Sequence, residues 1–104
     1  MSKNVINNQN FLSLLLSTSK EQAIALLQTS TKDQLLLIAE IAHNILQLPL
    51  PKKAKHYVNK KKKIIERLAD KKLSQTRKFS LVEKNAQFLL QLLLSIKSQL
   101  NELQ

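Results

Sequence analysis

A chain of 104 residues that contains no glycine has few ways to turn sharply. Glycine reaches positive φ without steric cost, and tight two-residue β-hairpins depend on that freedom. Its absence argues against a sheet of short hairpins. It also removes the phosphate-cradling P-loop and the dinucleotide fingerprint, which need glycine where the backbone approaches a ligand. The two prolines, Pro49 and Pro51, fall together, so strong helix breaking is confined to one place. The sequence therefore predicts an all-α protein.

One domain is expected at this length, burying between ~60 and ~70 % of the unfolded surface. The apolar residues, 43 % of the chain, are almost all Leu, Ile, Val and Ala; Phe11, Phe79, Phe88 and Tyr57 are the only aromatics. Aliphatic side chains must do the packing. Residues 1–9 are polar and Asn-rich and read as a disordered segment, leaving 10–104 as a single helical domain.

Helix boundaries come from capping signals. A short Leu-rich helix is expected from Asn10 to about Ser17. Ser19 with Gln22, and Thr31 with Gln34, have capping-box spacing and open helices of about 20–28 and 32–47. In the second, Leu35, Ile38, Ala42 and Ile45 recur at helical spacing, widened by Leu37 and Ile41, which marks it as the central core helix. Residues before proline are pushed out of the α region, so it ends before Pro49, and Pro51 can begin the next helix.

From Pro51 to about Asp70 an advance of about 100° per residue separates two arcs. Ala54, Tyr57, Val58, Ile64, Ile65 and Leu68 share one. Lys52, Lys53, Lys55, Lys60, Lys62, Lys63 and Arg67 share the other. Lys61 falls within the apolar arc and is expected to pack its stem there while its tip reaches the edge. Ser74 caps a further helix with Arg77, Lys78, Phe79, Leu81 and Val82. The last segment, about 85–103, is apolar nearly all round at Phe88, Leu90 and Leu94 as well as along its main stripe, which calls for burial on more than one side. The expected architecture is a bundle of about five helices with a Lys-rich amphipathic helix and an apolar C-terminal helix.

Charge points to a partner. Between Lys52 and Lys84 stand thirteen Lys or Arg against three acids, so this third carries the whole formal net charge of +10. Such a field draws polyanions. Lys52, Lys53, Lys55, Lys60, Lys62, Lys63 and Arg67 are the expected nucleic-acid contacts, extended by Lys71, Lys72, Arg77 and Lys78. With Tyr57 on the opposite arc, stacking on bases is not expected; contact with the duplex DNA backbone, without sequence readout, is. Lys52-Lys53-Ala54-Lys55 with Lys60 to Lys63 also fits a nuclear localisation patch.

Catalytic and metal chemistry find little support. There is no Cys, hence no thiolate site or disulfide. Glu40 and His43 have Glu-x-x-His spacing, but a di-iron bundle needs a second such pair and two further Glu, and Lys53 stands where His56 would need its carboxylate. No Ser has a plausible His and carboxylate set. No enzyme activity, metal or cofactor is expected. Nor is a secretory signal or a transmembrane run of about 18 apolar residues.

Ala39-Glu40-Ile41-Ala42-His43-Asn44-Ile45-Leu46, the Pro-flanked Lys-rich helix and Leu68-Ala69-Asp70-Lys71-Lys72-Leu73-Ser74 before Arg77-Lys78 resemble a family of small basic proteins of adintoviruses and Polinton/Maverick elements. The resemblance spans about residues 10–100. Those proteins have been likened to the basic core protein of adenoviruses, which implies a DNA-condensing role in a virion, and a location in virion or nucleus. Where the family has Gly-Gly-Phe-Leu, this chain has Ala86-Gln87-Phe88-Leu89, which favours a continuous C-terminal helix over a hinge or cleavage point. The rival function is a protein-interaction or assembly module, docking on a capsid-type protein or its own copy through Phe88, Leu90 and Leu94. A third is a membrane-surface protein.

Overall fold

The computed structural model describes residues 9–99. The expected N-terminal segment, Gln9 excepted, and Leu100 and Leu103 lie outside them. Among the described residues are seven α-helices, one 3-10 turn and no strand: α1 (Gln9–Ser17), α2 (Lys20–Gln28), α3 (Lys32–Ile45), α4 (Lys52–Lys60), α5 (Lys62–Ala69), α6 (Gln75–Lys84), α7 (Ala86–Ser95) and the turn Lys97–Gln99. The all-α expectation holds. No described residue has positive φ, so the joints between helices need no glycine.

Short polar side chains open three of the helices. Thr31 forms the full capping box: its hydroxyl accepts from the Gln34 N–H at 3.2 Å, and Gln34 Oε1 accepts from the Thr31 N–H at 2.9 Å. Ser19 caps α2 through the Gln22 N–H at 3.2 Å, but the reciprocal half is missing because the Gln22 side chain accepts from the Thr18 hydroxyl instead. Ser74 accepts from the Arg77 N–H and opens α6 as expected. Pro51 is the N-cap of α4 rather than its first residue, with ψ at 156°.

The excess over five helices comes from two interruptions. The Lys-rich segment expected as one helix breaks at Lys61 (φ −136°, ψ 46°). Ala54, Val58, Ile65 and Leu68 are buried, and in an unbroken helix Lys61 would continue that stripe into the core. The break also lets the two halves reach different partners: α4 packs on α7, whereas α5 packs on α3. The second interruption, at Asn85 (φ −115°, ψ 21°), separates α6 from α7. Both the backbone N–H and the Nδ2 of Asn85 donate to the Leu81 carbonyl, which ends α6 without glycine. Helix α7 stops at Ser95, so the expected unbroken helix to 103 is not formed.

The expected centre of the core is present: Leu35, Ile38, Ile41, Ala42 and Ile45 are buried, as are Val58, Ile65 and Leu68. Helix α3 is not, however, the hub. That place belongs to α7, which packs against α1, α2, α4 and α6, while its Leu89, Leu92 and Leu93 meet the α3 and α5 side chains Ile38, Ile41 and Ile65 around a small apolar cavity. This explains the nearly all-round apolar sequence of α7 from within one chain.

Candidate nucleic-acid interface

On α4 and α5 the two arcs separate in space as they do in sequence. Lys52, Lys53, Lys55, Lys60, Lys62, Lys63 and Arg67 are all exposed, while Ala54, Val58, Ile65 and Leu68 are buried. Lys71 and Lys72 follow in an exposed turn, held where Asp70 Oδ1 accepts the Lys72 N–H at 2.9 Å. Arg77 is exposed on the next helix.

Backbone dipoles add to the side-chain field. Helices α2 and α3 carry Glu21 and Asp33 in the first turn, the sign that offsets the partial positive charge there. Helices α4 and α5 do the reverse, with no acid in the first turn, no side-chain cap, and Lys52-Lys53 and Lys62-Lys63 as opening pairs. Each such Lys costs about 0.3–1 kcal/mol of helix stability at low ionic strength. A bound anion reverses that sign.

Two of the expected assignments change. Lys78 is only 9 % exposed. It lines a cleft of about 490 Å³ between α3 and α6 with Glu40 and His43, so it does not extend the phosphate track. The spacing that puts Arg77 outward turns its neighbour toward α3. Phe88 and Leu90 are 7 % and 3 % exposed and belong to this chain's own core; only Leu94, at 46 %, remains open to a partner. The hub position of α7 covers the other two.

Sequence reasoning missed Lys84 and placed Lys61 only as an edge residue. In the structure they join Lys60 in an open cleft of about 260 Å³ where α4 meets the α6–α7 joint. Lys61 Nζ donates to Asn85 Oδ1 at 3.4 Å and lies 5.3 Å from the centroid of the Phe88 ring. Half-buried Tyr57 lines the same cleft. It shares the cleft with three lysines, although the helical projection set it opposite the Lys face. The signal was the spacing Tyr57, Lys60, Lys61, three and four residues apart, which brings side chains together on a helix. Lys84 comes from a distant segment and had no local signal.

His43 does not gather a metal set. It is exposed, its Nε2 stands 3.1 Å from Gln47 Nε2, and among the described residues no group of three His, Asp or Glu is arranged to hold an ion. No described helix is long and apolar enough to cross a membrane. No protein-family model, curated protein or solved structure matches the chain. The fold is that of a small all-α bundle, and the cations of its α4–α5 arc are all exposed.

Proposed function

We propose that this protein is a non-enzymatic nucleic-acid-binding protein that grips phosphates without reading sequence. Lys52, Lys53, Lys55, Lys60, Lys62, Lys63 and Arg67 carry the contact, and Lys71, Lys72 and Arg77 lengthen it. One observation supports this above the rest: every cation of the α4–α5 arc is exposed while Ala54, Val58, Ile65 and Leu68 of the same helices are buried. Lys point charges reach the backbone, whereas base readout relies on paired donors and acceptors such as Arg, Asn or Gln on base edges. Condensing packaged DNA, in a virion or as a chromatin-like accessory protein in the nucleus, is the setting to which the family resemblance points.

The test is binding to two duplexes of unrelated sequence at stepped salt, with anionic vesicles as a parallel arm. Equal affinity for both duplexes, surviving at physiological salt, is the expected result. Retention on vesicles alone favours the membrane-surface reading. The assembly reading keeps one foothold in exposed Leu94, which shares an apolar cleft with Leu15, Leu16 and Leu90; loss of DNA binding together with concentration-dependent sedimentation favours it.

A further inference from the structure

The cleft at the meeting of the two helix interruptions has a composition that a phosphate-binding face does not require. Three lysines, Lys60, Lys61 and Lys84, line it together with Tyr57, and no Asp or Glu is among its lining residues. Like charges brought into one cleft repel one another. An anion seated between them relieves that repulsion. Asn85, Gln87 and Gln91 complete the polar lining, and the two Gln each offer an amide that can donate to and accept from a base edge.

We infer that this cleft is a subsite for one unpaired nucleotide, with the phosphate among Lys60, Lys61 and Lys84 and the base stacked on Tyr57. The inference rests on the nucleic-acid reading above and deepens it. A duplex presents phosphates to the Lys face, but its base faces are covered by neighbouring base pairs and cannot reach a ring in a cleft. A single strand presents both. Base–aromatic stacking tolerates any base because each has a π-face, and a cationic groove beside an aromatic ring is how single strands are held without sequence preference. The volume, about 260 Å³, lies just below the usual range of ligand clefts, which suits a ligand no larger than one nucleotide. Lys61 is already spread over Phe88 and hydrogen-bonded to Asn85, so the cluster is partly ordered before the strand arrives.

The chain supplies its own probe. Tyr57 is the only Tyr and there is no Trp, so intrinsic emission reports on this one ring. The full chain is titrated at physiological salt with an oligothymidylate, with a mixed-sequence single strand, with the matching duplex and with inorganic tripolyphosphate, and free tyrosine amide corrects for absorbance. Saturable quenching by both single strands, little change with duplex, and none with tripolyphosphate is the expected pattern. Tyr57→Leu should weaken single-strand binding roughly five- to hundredfold, as loss of one stacked base does, and leave duplex binding within about twofold. Tyr57→Phe should restore it. If Tyr57→Leu does not fold, exposed Lys84→Gln serves: single-strand quenching should then need several times more oligonucleotide, with duplex affinity less affected. Binding of single strands with Tyr57 emission unchanged, or equal losses for both forms, overturns the subsite and leaves the phosphate face standing. Absence of binding to any nucleic acid overturns both.

Discussion

Lys61 points its ammonium at the face of Phe88, 5.3 Å from the ring centroid, from the joint between α4 and α5. The same Nζ bonds to Asn85, the residue that ends α6, so the two places where helices break are tied to each other. A cation over an aromatic ring contributes about 0.5–1 kcal/mol when exposed and ~2 when desolvated. Lys61→Ala should accordingly lower stability by about 1 kcal/mol, a shift of roughly 4–8 °C in Tm for a domain of this size. A double-mutant cycle with Phe88→Leu measures the coupling, and a value indistinguishable from zero would mean that the contact is incidental.

Ile38 sits between α5 and α7, around the cavity shared with Ile65 and Leu92. Ile38→Ala removes buried methyl groups where three helices meet and should cost about 2–5 kcal/mol. Urea unfolding followed by circular dichroism gives the answer. An unmoved midpoint would place α3 at the periphery.

Leu90 and Leu94 lie one turn apart on α7 and have opposite surroundings, 3 % and 46 % exposed. Leu90→Asp buries an unpaired carboxylate and should unfold the chain, whereas Leu94→Asp should change stability by no more than about 0.5 kcal/mol. Thermal melts of the two variants decide. Equal tolerance would show that α7 is not enclosed by its neighbours.

The Lys face predicts a salt law. If the arc from Lys52 to Arg67 neutralises about six phosphates, the logarithm of the duplex binding constant should fall against log salt with a slope near −5. Reversing Lys60, Lys62 and Lys63 to Glu, all exposed, should weaken binding sharply and leave the fold intact. Lys78→Gln is the contrast: the residue is only 9 % exposed, so the slope should stay where it was. A folded triple variant with undiminished DNA affinity would remove the phosphate reading.

How far the sequence could be read depended on whether the signal was local. Ser19, Thr31 and Ser74 stand next to the amides they cap, and each marks a real helix start. The burial of Ile38 and Ile65 follows from spacing alone. Lys61 shows the limit: periodicity continues straight through it, while in the structure the helix opens there and α4 and α5 take different partners. The same holds for α7. Its all-round apolar sequence says that it must be covered, but a wheel cannot tell whether the cover is another molecule or α1, α2, α4 and α6 of the same chain. Lys84 entered the cleft from more than twenty positions away, beyond the reach of any local rule.

The central position of α7 also sets an order of events during synthesis. Helices α1 and α2 are synthesised before α6 and α7, yet those two later helices supply much of the surface against which they pack. Until α6 and α7 are made, the faces of α1 and α2 that meet them lack that part of their cover, a condition that exposes a nascent chain to chaperones and to aggregation. The positive charge of α4 and α5 is synthesised before α6 and α7, and net charge of one sign favours solubility.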